Sequence, residues 1–447
     1  MLDPARARSL AEHALSAARR AGAQQAEVTV EAQDEELNRF THEHPVQNVL
    51  RSTACVSVRV RVDGRQGKAS TGSPTPEGVA RAAERALAVA RLSPAGDLPP
   101  LPGPQAHALR GAGPLRADPE ATAGAVGAVT EACRAQGCRA AGIHHGVSTL
   151  RLLMNTQGNA VHDWDTVAQV SVSAFRDEGA GWACAIGDGH RALDAPSVAA
   201  RAVDKALASR APRAVPPGRY DVVLEPAAVS SLLLFTASHA FGAQQVLDGS
   251  SFVAGRLGEP VFGENVTLTD DAHHPLTVGP VFDGEGLPRQ RVTLVERGVA
   301  RSVVHDQVTA KRLGCASTGH SLPQPSRDGP QPGNLCLQPG ATAGGTAELI
   351  RGMKRGLLVT QFHYSNVVEP TKLTLTGMTR NGTFFVENGE IVGAVKNMRY
   401  TESVVEALKR VTGIGSDLRL ASALFGGWVV VPSVRIEGFG FSSGTEF

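Results

Sequence analysis

Apolar residues near the start of the chain recur at helical spacing. Between Asp3 and Ala21 they return every three or four positions, which predicts an amphipathic helix. Cys55–Val62 instead alternates apolar and polar residues, which is the period of a half-buried strand. Asp63-Gly64 follows directly, and this dipeptide favours a two-residue hairpin turn. The beginning of the chain therefore predicts a helix followed by antiparallel strands.

The same succession of elements is predicted a second time. Thr75-Pro76-Glu77 is typical of a helix start, because Thr caps helices and Pro is favoured at the first helical position. Asp118-Pro119-Glu120 has the same form, and alternating segments and an Ala-rich helix follow it. The intervening Ser93–Pro119 is rich in proline and predicts an extended strap. Helix, strands and helix thus occur twice, which suggests a loose internal duplication.

The pattern changes after a predicted linker at Arg213–Gly218. Glu225-Pro226 is expected to start a helix, and Leu232–Leu247 (LLLFTASHAFGAQQVL) is expected to continue it. Later residues form mostly short alternating stretches, with tight turns predicted at Asn381-Gly382 and Asn388-Gly389. Closing such strands into a barrel would remove exposed edges.

These patterns together predict an α+β protein of two domains. Residues 1–215 are expected to form an N-terminal α/β domain with antiparallel strands and flanking helices. Residues 216–447 are expected to form a β-rich, barrel-like C-terminal domain. A chain of 447 residues is long enough for two such cores.

Composition narrows the function classes. Lys and Arg number 44 and Asp and Glu 43, so a net charge of +1 gives no general attraction to nucleic acid or acidic membranes. No apolar run approaches the length of a membrane span, and the N-terminus has no apolar leader segment. Six scattered cysteines without a CxxC pair are typical of buried thiols in a reducing compartment. We therefore expect a cytoplasmic protein.

Seven segments, in order along the chain, carry a family resemblance. They are ELNRF (36–40), VRVDGRQGKAST (60–71), NTQGNAVHDWDT (155–166), PPGRYDVVLEPAAVSSLL (216–233), FDGEGLPRQRVTLVERGVARSVVHDQVTAKRLG (282–314), STGH (317–320) and RNGTFFVENGEIVGAV (380–395). With these segments the chain resembles the TldD/TldE (PmbA) family, also called modulator of DNA gyrase. The resemblance implies a metalloprotease-like C-terminal domain over residues 216–447.

The two branches of that family differ at one helix. The TldD branch resembles a zinc metallopeptidase whose HExxxH motif supplies two His ligands and a Glu general base, with a downstream Cys as third ligand. Three protein ligands leave a zinc position open for water, whose pKa the metal lowers. The TldE branch resembles it in fold, lacks these residues and pairs with TldD.

In this chain the motif positions fall on Ser238, His239 and Ala243. Ser238 stands at the first ligand position, His239 at the Glu position and Ala243 at the second ligand position. Ala cannot bind metal, and a shift of one residue turns His239 about 100° around a helix. HExxH and HExxxH occur nowhere else in the chain. The alignment therefore places the chain in the TldE/PmbA-like branch, with no catalytic residue and no metal ligand of its own.

Other candidate residues have competing interpretations. His305 with Asp306 could be a base held by a carboxylate, but a structural turn is favoured. For His363 and Tyr364, a position lining an internal cavity and a purely structural role are equally favoured. His273-His274 is expected on a surface loop. Cys315 and Cys336 could be nucleophiles or zinc ligands, though buried thiols are the default interpretation. Of all these residues, His305, His363 and Tyr364 are the candidates for lining a cleft.

The favoured function is a non-catalytic subunit of a TldD/TldE-type metallopeptidase complex that acts on unfolded peptides. Zinc would then belong to a TldD-like partner in a heterodimer, and this chain would need no cofactor. One alternative is a peptidase with a rearranged metal site built from His239 and His273, His305 or His363. Another is a homodimeric scaffold or binding protein. Neither nucleic acid nor a membrane is expected as a partner.

Overall fold

The computed structural model describes residues 2–42, 44–110, 113–115, 117–189, 193–341, 344–422 and 427–445. The helices are α1 Pro4–Ala21, α2 Pro76–Leu92, α3 Pro119–Ala135, α4 Ala195–Ala208, α5 Pro226–His239, α6 Ala243–Leu247, α7 Gln307–Leu313, α8 Thr346–Arg351 and α9 Val404–Lys409. No helix among these described residues is both long and apolar enough to cross a membrane.

Strands dominate the fold. They are β1 Gln25–Thr41, β2 His44–Val62, β3 Arg65–Thr71, β4 Arg139–Asn155, β5 Ala160–Arg176, β6 Gly179–Gly187, β7 Gly218–Leu224, β8 Leu268–Asp270, β9 Val292–Glu296, β10 Val299–Ala300, β11 Leu335–Leu337, β12 Arg355–Glu369, β13 Thr374–Glu387, β14 Glu390–Ala394, β15 Met398–Ser403, β16 Val411–Ile414, β17 Arg419–Ser422, β18 Trp428–Val431 and β19 Val434–Gly444. The predicted α+β class is confirmed.

The first sheet has two halves with the same element order. Its described strands lie in the order β3-β2-β1-β4-β5-β6, and β1 pairs antiparallel with β4 at the centre. One half is α1-β1-β2-β3-α2 and the other is α3-β4-β5-β6-α4. The predicted caps are present, since Thr75 and Asp118 each accept a bond from the third residue of their helix. This arrangement agrees with the predicted internal duplication.

A glycine fixes the distance between strand and helix in each half. A Cβ on Gly67 would lie 2.3 Å from backbone atoms of α2. A Cβ on Gly181 would lie 2.1 Å from the backbone oxygen of Ala202 in α4. The second helix of each half therefore packs against backbone rather than side chain at this point, and no larger residue fits there.

Replacing Gly181 by alanine is expected to lower the free energy of unfolding by about 1–3 kcal/mol, because α4 must move away from β6. Chemical denaturation measures the change. Gly124→Ala in α3 is the matched control: a Cβ there meets nothing within 4 Å. That variant is expected to gain about 0.5–1 kcal/mol from helix propensity. A stabilising Gly181→Ala would contradict the packing argument.

The barrel-like prediction is confirmed by a ring of strand pairs. In the described part of the second half, β12 pairs with β7, β7 with β19, β19 with β15 and β15 with β13. Pairing of β13 with β12 closes the ring. A separate mixed sheet has the order β10-β9-β8-β11-β18-β17. Helix α5 packs on β12 of the ring and on β17 and β18, so it joins the ring to this sheet.

The single helix predicted across Leu232–Leu247 is wrong. Helix α5 ends at His239, and the chain resumes as α6 only after Gly242. Between the two helices Val304 donates its N–H to the carbonyl of Phe241, at 2.9 Å, and accepts from the N–H of Ala243, at 3.0 Å. Pairing with a distant segment thus satisfies the backbone that would otherwise continue the helix.

The predicted turn at Asn381-Gly382 is also wrong. Strand β13 runs through both residues, which have φ values of +57° and +122°. The pairing register with β12 shifts at this point, between Val359 and Gln361, so the dipeptide makes a bulge. The Asn388-Gly389 turn is confirmed between β13 and β14. Both dipeptides supply positive φ, and only the partner strand decides between bulge and turn.

The expectation of buried thiols holds for three cysteines and fails for two. Cys133, Cys138 and Cys336 are buried, and Cys184 is half-buried. Cys55 is exposed because the even-numbered residues of β2, not the odd ones, face the helices. Cys315 is exposed on the turn that follows α7.

Candidate functional site

A cavity of about 880 Å³ lies between the first sheet and the second half of the chain. One wall comes from β4, β5, β6 and α4, and the other from the start of α5, β12, β13, β17 and β18. Its size is that of a pocket for a small ligand or a short peptide. Its lining residues come from widely separated parts of the sequence.

Part of the cavity wall is aromatic and aliphatic. Trp182 and Trp428 line it together with Ile143, Phe362 and Leu420. The indole Nε1 of Trp182 donates to the hydroxyl of Ser171 at 2.9 Å, which fixes the ring while leaving its apolar faces available. An apolar group inside the cavity would therefore pack against these apolar side chains.

A salt bridge ties the two walls together. The Nζ of Lys205 on α4 donates to Oε2 of Glu225 at 2.6 Å. Each of these side chains is 18% exposed. Glu225 is the residue directly before α5. The ion pair therefore joins the last helix of the first half to the first helix of the second.

Helix α4 also covers the outer edge of β6. Side chains one helical turn apart donate to every second carbonyl of the strand: Ser209 to Ala180, Lys205 to Trp182 and Arg201 to Cys184. An edge strand normally presents these carbonyls to other chains. Here the helix satisfies them, so this part of the sheet edge is closed to strand addition.

Two arginines in the cavity form no ion pair with any of the described residues, although the charges of Glu225 and Asp194 act on Arg201. Arg201 donates through Nη2 to the carbonyl of Cys184 at 3.2 Å, while its Nε is buried without a hydrogen bond. Burial lowers the pKa of Arg201, and the nearby charge of Arg419 lowers it further. Arg419 is exposed on the cavity wall and makes no ion pair within the described residues. Sequence reasoning missed both residues, since neither belongs to a motif.

The degenerate motif positions lie away from this cavity. Ser238 and His239 end α5, and Ala243 begins α6, so the three do not share one helix. Nδ1 of His239 lies 2.8 Å from the hydroxyl of Ser238 and 3.2 Å from the carbonyl of Phe235, so it is engaged locally. Ala243 is fully buried. The first turn of α5, not its end, reaches the cavity.

The residues at these positions do not fit a zinc ion. The side chain of Ala243 has no donor atom, and the hydroxyl of Ser238 lies within hydrogen-bond distance of the carbonyls of Leu234 and Phe235. Within the described ranges, no group of three His, Cys, Asp or Glu side chains is arranged to hold a metal. The side chains at these positions therefore do not provide the three ligands that a catalytic zinc ion needs.

The candidate cleft residues have different positions. His363 lines the cavity, and Arg380 donates to its Nε2. Burial, and then the charge of Arg380, lower the pKa of His363 and so favour the neutral imidazole. Tyr364 lies in the middle of β12, 61% exposed, and does not line the cavity.

His305 lies at a structural turn. The hydroxyl of Thr318 accepts its N–H, and Asp306 is the N-cap of α7 in a capping box. Nδ1 of His305 lies 3.7 Å from the sulfur of Cys315. This supports the structural-turn interpretation of the His305-Asp306 pair. Of the pair predicted on a surface loop, His273 is exposed and His274 is half-buried.

Two family segments instead form a buried polar network. In FDGEG, the carboxylate of Asp283 accepts backbone N–H groups from Glu285, Leu287 and Ser321 at 2.9 Å each. In STGH, His320 donates through Nε2 to Asp270 at 2.9 Å, with both side chains fully buried. These motifs therefore hold the loops of the second half together.

Comparison with known proteins identifies the fold family. Residues 217–443 match the sequence model of the PmbA/TldA metallopeptidase C-terminal domain. The chain is 28% identical over 289 residues to a metalloprotease of Methanothermobacter thermautotrophicus, which covers 61% of each chain. It is 30% identical over 193 residues to a metalloprotease PmbA homolog of Haemophilus influenzae, covering 42% of this chain and 40% of that one. The chain thus spans less than two thirds of these relatives.

Solved structures extend the likeness in fold to nearly the whole chain. TldE from Thermococcus kodakarensis is similar with a TM-score of 0.85 at 21% identity, over 97% of this chain and 100% of that chain. A putative modulator of a DNA gyrase from Thermotoga maritima is similar with a TM-score of 0.83 at 20% identity, over 97% and 100%. At such identities the likeness establishes the fold alone.

Proposed function

Because the chain belongs to the PmbA/TldD metallopeptidase family, we propose that it serves that family as a non-catalytic subunit. It would assemble with a zinc-bearing, TldD-like chain, and the pair would act on unfolded peptides. The zinc of the partner would supply the activated water. This chain would contribute binding surface and enclosure.

The observation that carries this proposal is the chemistry of the motif positions. Ala243 offers no ligand atom, and His239 is held by its own helix rather than aimed at a shared point. The fold is otherwise complete, with a closed ring of strands and an 880 Å³ cavity beside it. A cavity of this size, in a chain whose motif positions offer no fitting metal ligands, favours a subunit that binds substrate without cleaving it.

The chain purified alone is expected to contain far less than one zinc per chain and to leave unfolded peptides intact. Atomic absorption and a peptide-cleavage assay measure the two properties. An HExxxH-bearing relative, purified in the same way, is the matched control and should hold zinc. Mixing the two chains should yield a complex by mass measurement. Stoichiometric zinc with chelator-sensitive cleavage by this chain alone would overturn the proposal.

A further inference from the structure

We propose that Arg201 and Arg419 form a carboxylate-binding site inside the cavity. The ligand class is a peptide that presents a carboxylate next to an apolar residue. The inference rests on the proposed function in one respect, namely that the cavity receives peptide. It goes further by assigning the residues that bind and the chemical group that they select.

The first argument is a pair of like charges without a counter-ion. Both guanidinium groups line the same cavity, and Arg419 is close enough to disfavour the charged form of Arg201. Neither arginine is in an ion pair within the part of the chain that the structure describes. Arg201 is half-buried, and a cation at such a position normally has a partner, whereas the exposed Arg419 is solvated without one. An anion that enters the cavity would supply it.

Three acidic side chains line the cavity: two are held by other groups, and the third, Asp204, makes no ion pair with either arginine within the described residues. Glu225 is bound to Lys205. Asp417 accepts the N–H of Ser433 at 2.9 Å and its hydroxyl at 2.7 Å. These contacts hold the two carboxylates to structural partners. The positive charge of Arg201 and Arg419 is therefore left for a ligand.

The second argument is an unsatisfied donor. The Nε of Arg201 is buried and has no hydrogen-bond partner among the described residues, although an unmade hydrogen bond at such a site costs about 1–3 kcal/mol. The bond from Nη2 to Cys184 holds the guanidinium in place on β6. A carboxylate matches the planar guanidinium with two parallel bonds, which ammonium groups do not offer.

The surroundings indicate what the carboxylate is attached to. Trp182 and Trp428 line the same cavity, so an apolar side chain can be buried while the carboxylate meets the arginines. The volume of about 880 Å³ exceeds that of a single amino acid and fits a short peptide segment. The carboxylate could be the C-terminus of the peptide or an Asp or Glu side chain.

Intrinsic fluorescence provides a direct binding assay. The chain has three tryptophans, and two of them line the cavity. We would titrate the chain with an apolar pentapeptide carrying a free C-terminus, its C-terminal amide, and the amide with an internal Asp. At least one carboxylate-bearing peptide is expected to bind at least tenfold more tightly than the plain amide. Which of the two binds identifies the source of the carboxylate.

Substitution then tests the two residues. Arg201→Gln and Arg419→Gln are each expected to weaken binding of the carboxylate peptide about ten- to hundredfold, without weakening the amide. Arg85→Gln, on the exposed face of α2, is the matched control and should bind like the parent chain. Because Arg419 is exposed, its variant should fold normally even if Arg201→Gln does not.

The outcome is separable from that of the proposed function. Equal affinity for carboxylate and amide peptides, or unchanged binding by Arg419→Gln, would overturn the carboxylate site whatever the zinc content. Conversely, zinc-dependent cleavage by the chain alone would overturn the subunit proposal while leaving carboxylate-dependent binding intact.

Discussion

Replacing His320 by alanine is expected to lower the free energy of unfolding by about 3–5 kcal/mol, because it leaves Asp270 buried and without its partner. Both side chains are fully buried, and the other carboxylate oxygen of Asp270 accepts the N–H of Asn334 at 2.7 Å. Nδ1 of His320 also lies 2.8 Å from the carbonyl of Thr318. The pair therefore links β8 to two loops.

Urea denaturation at neutral pH measures this change. His273→Ala, on an exposed loop, is the matched control and should alter stability by less than about 0.5 kcal/mol. Asp270→Asn alone and together with His320→Ala completes a double-mutant cycle, in which the two losses should not add. Additive losses would mean that the two side chains do not act as a pair.

The pair also predicts the behaviour of the protein in acid. Burial acts to raise the pKa of Asp270, but the hydrogen bond and charge of His320, with smaller contributions from Arg289 and the N–H of Asn334, together hold the pKa below its ordinary value. A lowered folded-state pKa means that the unfolded chain binds the proton first. The stabilisation is therefore present above pH 4 or so and is lost as the pH falls through the folded-state pKa.

Replacing Glu285 by glutamine is expected to stabilise the protein at alkaline pH. Burial, and then the charge of Asp283, raise the pKa of Glu285 from 4.5 to about 8. Between these values the folded state binds more protons than the unfolded state, so stability falls as the pH rises. The loss approaches about 1.4 kcal/mol per pH unit. The stabilising effect of the proton is complete below pH 4.5 and lost above about pH 8.

The glutamine variant should remove this slope, because a neutral amide can still accept the N–H of Gln307 that now bonds to Glu285. The free energies of unfolding of the Glu285→Gln variant and the parent chain, measured from pH 5 to pH 9, should therefore agree at low pH. At high pH the variant should be the more stable of the two. Glu259→Gln, at an exposed position, is the control and should keep the parent slope. A slope that survives in Glu285→Gln would show that another group causes it.

Local patterns predicted the local elements well. The start of α2 was predicted from Thr75 and Pro76 and is confirmed, because capping depends on residues within one turn. The predicted closure of the second half into a ring is also confirmed. The cap depends on neighbouring residues, whereas the ring was expected only from the succession of short alternating segments, and its strand pairs join residues far apart in the sequence.

Non-local pairing accounts for the errors. The helix expected across Leu232–Leu247 is interrupted because Val304, some sixty residues away, pairs with Phe241 and Ala243. The hairpin expected at Asn381-Gly382 became a bulge because β12 continues on both sides of it. Local helix or turn propensity is overridden where a segment distant in the sequence forms hydrogen bonds with the same backbone groups.

The candidate site divides in the same way. The sequence by itself determined the family resemblance and the residue types at Ser238, His239 and Ala243, but not that these positions belong to two separate helices. Only the tertiary structure brought Arg201 of α4 to Arg419 of β17, or Asp270 to His320, because such contacts depend on how sheets and helices pack. Motif positions can be aligned along a chain, whereas an unpaired charge in a cavity exists only once its surroundings are assembled.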